Sequence, residues 1–241
     1  MKAGLLLSTL VAIATTSNAA PTLSLGPRSV LSKHGRRQIS AECDLSALDN
    51  VTLPIAGTSL PAPGADFFLA SITVGRGVQN YTCGNDSTAA PVSTGAIAIL
   101  YEASCVGVAD PDLLASLPGQ ALAISLPDDP QADLDCGSQP LERAGHHFFT
   151  AAKVPTFDFT ESGDPELGLG AMSVGVKSPA PDASTAVPWL SLNRADGSVG
   201  PIQSIYRLNT AGGVAPATCA NQEPGATISV QYAAQYWVYS Q

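Results

Sequence analysis

Two adjacent histidines, His146 and His147, are the residues most able to do acid–base chemistry, and the third imidazole, His34, lies far upstream. Histidine titrates near neutrality and serves as a base or metal ligand. On a strand, neighbouring side chains point to opposite faces. His146 and His147 then cannot share one metal, and a three-histidine site is impossible. His146 with a distant carboxylate is the candidate base or metal site. The competing reading is a structural histidine, hydrogen-bonded at a sheet edge.

Carboxylates gather in Gly/Pro-rich stretches at Asp128, Asp129, Asp133 and Asp135, and at Glu161, Asp164 and Glu166. Asp133-x-Asp135-x-Gly137 is a fragment of a calcium loop, without the third oxygen ligand or the distal glutamate. These groups read as solvated loops, so neither a metal nor a cofactor is expected. A glycosidase pair is set by space rather than by sequence and stays open.

Two motifs invite chemistry and fail on context. Gly75-Arg76-Gly77-Val78-Gln79-Asn80 starts like a dinucleotide fingerprint, but Asn80 replaces the third glycine and the β-like Tyr81-Thr82-Cys83 follows. That fingerprint needs a helix amino terminus aimed at the pyrophosphate. The spacing predicts a turn between two strands instead. Ala171-Met172-Ser173-Val174-Gly175 is a loose nucleophile elbow, whose base histidine must come later in the chain. None follows His147.

The five cysteines, Cys43, Cys83, Cys105, Cys136 and Cys219, are widely spaced and contain no C-x-x-C pair. That disfavours zinc knuckles and thioredoxin-type exchange. In an oxidising compartment they form disulfides, and an odd count leaves one thiol over or paired between molecules. A catalytic cysteine would also need a base placed by the fold. Asn50, Asn80 and Asn85 head Asn-x-Ser/Thr sequons; Asn85, in a polar turn, is the best placed for a glycan.

The amino terminus gives an address. Lys2, an apolar run from Ala3 to Ala14, and small residues at Ser17 and Ala19 predict a signal peptide over residues 1–19. Residues 20–37 read as a pro-segment ending at the dibasic site Arg36-Arg37, and residues 38–241 as one secreted β domain. Of the 11 Lys and Arg, five (Lys2, Arg28, Lys33, Arg36, Arg37) precede residue 38, and none of the 20 acids does. The remainder carries 6 bases against 20 acids, a net charge of −14. Such a surface repels phosphate backbones and anionic membranes, which excludes nucleic acid as a partner. No lipid-anchor tail closes the chain, so a released extracellular product is expected.

The elements that must carry these residues read as short strands. Phe67–Val74 and Val78–Cys83 flank the expected turn; Ala96–Tyr101, His147–Ala151, Thr156–Phe159, Met172–Lys177, Pro188–Leu192 and Ile202–Leu208 follow. The last strand alternates strictly, with Ile228, Val230, Tyr232, Ala234, Tyr236 and Val238 forming one apolar face. One helix is expected over Pro111–Leu117, capped by Asp110. Short strands between Gly/Pro/Asp/Ser turns predict an all-β fold, an antiparallel sandwich or barrel with one short helix and long loops.

Several segments together resemble a known family. They are Gly75–Cys83, Ala96–Tyr101 with Ala103-Ser104-Cys105, Gly145–Phe149, Pro188-Trp189-Leu190, Tyr206–Gly213 with Pro216–Cys219, and Tyr232–Trp237. The chain is similar over residues 43–239 to secreted fungal proteins with bacterial relatives. They form a domain family of unknown function, often labelled "malate dehydrogenase" in genomes. The resemblance implies an extracellular β domain. The label does not transfer, because the dinucleotide turn is broken and no Asp–His relay can be assigned. Within the matched segments, Cys83 and Cys219 are implied as a disulfide pair. His146, Arg207, Trp189 and Trp237 are implied as candidate pocket residues, with His146 and Arg207 the catalytic candidates.

The composite expectation is an acidic, disulfide-bearing, secreted glycoprotein that binds a cell-wall glycan or an extracellular protein, at a wall or host surface. The alternative is a secreted enzyme acting on carbohydrate or a small molecule. A dehydrogenase is disfavoured.

Overall fold

The computed structural model describes residues 45–125, 132–136 and 140–241. The expected leader and pro-segment, Cys43, Asp128, Asp129 and Gly137 lie outside the described residues.

Long antiparallel strands form the frame. They are β1 (Phe68–Thr82), β2 (Val92–Glu102), β5 (Arg143–Phe149), β6 (Pro155–Asp158), β7 (Leu169–Ser178), β8 (Trp189–Arg194), β9 (Ile202–Gly212) and β10 (Thr227–Ser240). Each pairs with its neighbour in sequence, and β10 pairs with β1 to close an eight-stranded barrel. Between β2 and β5 lie α1 (Ser104–Ala109), α2 (Pro111–Ala123) and a small ladder of β3 (Leu134–Asp135) with β4 (Pro140–Leu141). The fold is therefore all-β, and of the two architectures expected it is the barrel. A closed barrel leaves no unpaired edge. No described helix is long and apolar enough to cross a membrane.

The turn expected at Gly75-Arg76-Gly77 does not exist. β1 runs unbroken for 15 residues through both glycines. They serve close packing across the sheet. A Cβ on Gly77 would overlap the Ile97 carbonyl of β2, and one on Gly75 would overlap the Tyr236 ring of β10. Glycine inside a strand commonly marks a site where another part of the chain approaches closely.

Inside the barrel sit Leu100, Phe157, Phe159, Met172, Leu192, Ile202, Ile205 and Val238. The outer wall of β1, β9 and β10 is covered as well, because Ile72, Val74, Tyr206, Leu208 and Trp237 pack against Leu114 and Leu117 of α2. β10 is thus buried on both faces from Tyr232 onward, not only on its alternating apolar face.

The helix over Pro111–Leu117 forms as expected, with Asp110 accepting a hydrogen bond from the Leu113 N–H at 2.9 Å. It then continues to Ala123, through Pro118. Proline has no N–H for the carbonyl four residues back, so Leu114 O would be orphaned. Gln235 of β10 fills the gap by donating Nε2 to Leu114 O at 2.5 Å.

Arg76, 1 % exposed, points outward from β1 to the carboxyl end of the same helix. It donates to the Ala121 carbonyl at 2.8 Å and to the Ile124 carbonyl at 3.3 Å, and it also bonds Gln231. A cation favours a helix carboxyl terminus, and α2 has no base in its own last turn. The residue at the centre of the broken fingerprint is a helix cap supplied from a strand.

Candidate functional site

The barrel has two ends. One is formed by Thr82, Val92, Phe149, Ser178, Trp189 and Gly212. Across it, residues 179–188 fold back so that the Val187 N–H donates to Gly212 O at 3.1 Å and Ala186 bridges Gly213. Between that segment and the barrel lies a pocket of about 440 Å³, walled by Tyr81, Lys177, Ala183, Val187, Pro188 and Val214. Tyr81 donates its hydroxyl to Gly213 O at 2.5 Å.

Gly213 explains how this floor is built. With φ +88° it holds a backbone that other residues rarely adopt. A Cβ there would meet Tyr232, Gln79 and Val187 at 2.9–3.0 Å. Its bareness leaves room beside it for Val187, a wall residue, and for the buried polar side chains of Gln79 and Tyr232.

A polar cluster fills the interior behind that floor. The Tyr232 and Tyr236 hydroxyls are hydrogen-bonded at 2.9 Å. Burial raises the pKa of both, so they stay protonated and neutral. The Gln79 side chain reaches the Tyr232 hydroxyl. Arg207, the cross-strand partner of Tyr236, is 9 % exposed and donates Nε and Nη2 to the Pro188 carbonyl at 3.2 and 2.8 Å. It also reaches the Tyr236 hydroxyl. The one ion pair among the described residues is Arg143 with Glu161, so no carboxylate there neutralises Arg207.

His147 faces the same interior. Its ring stacks on Phe157 with centroids 4.1 Å apart and lies 5.7 Å from the Tyr236 ring. Its Nδ1 donates to Thr156 O at 2.9 Å, because a carbonyl can only accept. Burial lowers its pKa to about 4, against the help of that hydrogen bond, and it is neutral at ordinary pH.

The four residues singled out from the sequence do not meet. His146 points to the outer face of β5, half-buried and bonded to Arg143. Arg207 points inward, so the sheet separates the two catalytic candidates. It is His147, the other member of the pair, that shares the interior with Arg207. Trp189 is buried on the outer wall, and its Nε1 has no partner among the described residues. Trp237 lines a second pocket, of about 410 Å³, between α2 and the barrel. Three of its polar side chains are hydrogen-bonded to one another. Gln235 Oε1 accepts from Trp237 Nε1 and Asn209 Nδ2, each at 3.0 Å.

The remaining sequence features are also placed. Ser173 of the loose elbow is an exposed mid-strand residue on β7. Glu161 is exposed and holds Arg143 at 2.7 Å. No group of three His, Cys, Asp or Glu among the described residues could hold a metal ion. Cys83 and Cys219 are joined by a disulfide, Cys105 is disulfide-bonded, and Cys136 is a free, buried thiol. Asn50 and Asn85 are exposed, whereas Asn80 is half-buried and accepts from Ser229 Oγ at 2.7 Å. The interior cluster of Gln79, Tyr81, Tyr232, Tyr236 and His147 escaped the sequence reading. Its only signal was a row of hydrogen-bonding side chains on strand positions that face inward.

This cluster can hydrogen-bond a bound molecule. It offers neutral hydroxyls, an amide donor and one cation. His147 is held neutral and is hydrogen-bonded to a backbone carbonyl, not to an orienting carboxylate. A general base works best with a pKa near the operating pH.

The family whose model matches residues 63–240 is described as "Protein of unknown function (DUF3455)", and the chain belongs to it. That description carries neither a fungal origin nor a dehydrogenase activity. No curated protein and no solved structure matches the chain significantly.

Proposed function

We propose that the protein is a secreted, non-enzymatic binding protein that takes a small organic molecule at the pocketed end of its barrel. One observation carries this reading: buried hydrogen-bonding groups converge behind a pocket of about 440 Å³. Ligand sites are concave and mostly apolar, with a few placed polar groups, in the range of about 300–1,000 Å³. An eight-stranded barrel is just wide enough to be filled by side chains or to hold one small ligand. Walls of Ala, Val and Pro favour a compact molecule with an apolar body over an extended wall glycan.

Secretion is part of the same proposal. The leader-like residues 1–19, the dibasic Arg36-Arg37, the sequons at Asn50, Asn80 and Asn85 and the Cys83–Cys219 bridge support it. The ligand is then met outside the cell, at a wall or host surface. An enzyme acting on a carbohydrate or small molecule is the second reading, and the paired Tyr232 and Tyr236 hydroxyls favour it as donors to a carbonyl.

The test is a thermal-shift screen of small molecules on protein collected from culture medium, repeated with Ala183→Trp. That change fills the pocket from an exposed turn. Ligands that stabilise the native protein and lose their effect in the variant support the reading. Retention on insoluble wall polysaccharide, with no small-molecule stabilisation, overturns it.

A further inference from the structure

We propose that Asn50 carries an N-linked glycan and that its first sugar, an N-acetylglucosamine, packs into the second pocket, between α2 and the barrel. The inference rests on the secretion part of the reading above and assigns a pocket that this reading leaves unused.

The first support is position. Asn50 closes a short 3-10 helix, Leu45–Asn50, and heads the sequon Asn50-Val51-Thr52. Leu48, 4 % exposed, roots that helix in the core, and the Val51 N–H donates to Leu48 O at 2.9 Å. Asn50 and Thr52 are exposed, yet both line the pocket of about 410 Å³. Neither side chain forms a hydrogen bond among the described residues. The other sequons differ. Asn80 is half-buried with its Oδ1 taken by Ser229, and Asn85 lines neither pocket.

The second support is the chemistry of the walls. No Lys, Arg, Asp or Glu lines the pocket, so it suits a neutral occupant, because an unpaired charge is costly to bury. Val108, Pro111, Leu114, Ala115 and Trp237 give it an apolar side. Asn209 gives it a polar one. Asn209 holds φ +45° at the register shift between β9 and β10, and its Nδ2 donates to Gln235 Oε1 at 3.0 Å. That bond fixes the amide and leaves Oδ1 as an acceptor. An N-acetylglucosamine answers both sides: it is uncharged, shows C–H groups on a ring face, and carries hydroxyl and amide donors.

The third support is the tether. The bond forms between Asn50 Nδ2 and C1 of the sugar. The C1–O bond to a lipid-pyrophosphate donor breaks, Nδ2 loses one proton, and the pyrophosphate leaves. The attached sugar then enters the pocket as an intramolecular group and escapes the association cost that a free ligand meets.

The test uses the full protein secreted by a eukaryotic host. Mass spectrometry should find Asn50 occupied. An endoglycosidase that leaves one N-acetylglucosamine at each site should not change Tm, since the outer sugars lie beyond the pocket. Thr52→Ala, trimmed in the same way, lacks only the Asn50 sugar and should melt about 2–4 °C lower, the shift expected when one packed group is lost from a chain of this length. In an Asn209→Gly background, which keeps the positive φ and removes the amide, that difference should fall by at least half. Should Asn209→Gly fail to fold, the Thr52→Ala comparison carries the test alone. An occupied Asn50 with equal Tm values overturns the packing and leaves the secretion reading standing. An unoccupied Asn50 removes the inference and the glycan part of that reading together.

Discussion

Pro118 and Gln235 complete one hydrogen-bond ladder between them. The proline removes the N–H that would serve Leu114 O, and the glutamine amide of β10 supplies a donor to that carbonyl at 2.5 Å. A helix-breaking residue and a buried polar residue in a strand, each unfavourable alone, account for each other.

The pairing predicts a coupling. Gln235→Leu should cost about 2–3 kcal/mol, because it leaves a buried carbonyl and the Trp237 and Asn209 donors unmet. Pro118→Ala returns an N–H to Leu114 O, so the double variant should recover about 1 kcal/mol beyond the sum of the singles. Urea denaturation of the four proteins measures the cycle. Strict additivity would refute the coupling.

Arg76 should be among the least replaceable residues of β1. Arg76→Met removes the donors to Ala121 O and Ile124 O and should cost about 3 kcal/mol. Arg76→Lys keeps the charge without the fork and should restore less than half of that. Loss of helical ellipticity before loss of the sheet signal would locate the damage at α2.

His147 makes the fold sensitive to acid. Its folded pKa, about 4, lies below the ordinary 6.5. Between those values the unfolded chain binds more protons, so stability rises with pH. The contribution is fully present above pH 6.5 and disappears as pH falls to about 4. It amounts to about 3 kcal/mol at 1.36 kcal/mol per unit. His147→Phe, which keeps the stack on Phe157, should flatten this part of the profile. Glu102, which burial raises, bends the curve the other way, so the difference between wild type and variant is the quantity to read. An unchanged slope in the variant would sink the assignment.

The cysteines should separate by chemistry. Cys83→Ser and Cys219→Ser should each cost about 5 kcal/mol, and the double variant no more, because all three open the same loop of 136 residues. Cys136, its thiol pushed up by burial and by Asp135, should ignore a thiol reagent in the native protein and react once it is unfolded. Rapid native labelling would contradict its burial.

Tyr232–Val238, by its alternating apolar face, and Ala96–Tyr101, a short continuous apolar run, were legible as strands from local pattern and length, although which faces are covered was not, since Ile97 is exposed and β10 is buried on both sides. Two readings failed for tertiary reasons. Gly75 and Gly77 looked like a turn, since no local pattern reveals that Tyr236 and the Ile97 backbone need their space. The helix looked finished at Leu117, since the donor that lets it pass Pro118 lies in the last strand. The site was less legible still. Choosing between His146 and His147 requires knowing which face of β5 turns inward. Arg207 was visible as a candidate, but the loneliness of its charge was not, because that depends on where every carboxylate falls.

The seam between β1 and β10 sets the order of assembly. β1 borders its sequence neighbour β2 on one side and the distant β10 on the other. During synthesis the ring cannot shut until residues 227–240 have emerged, and until then one flank of a long apolar strand stays bare. Such non-local closure is slow and exposes the nascent chain to sticking. The Cys83–Cys219 link lies just past β1 and shortly before β10. Oxidation there would latch the two ends of the ribbon together at the step where the growing chain is most vulnerable.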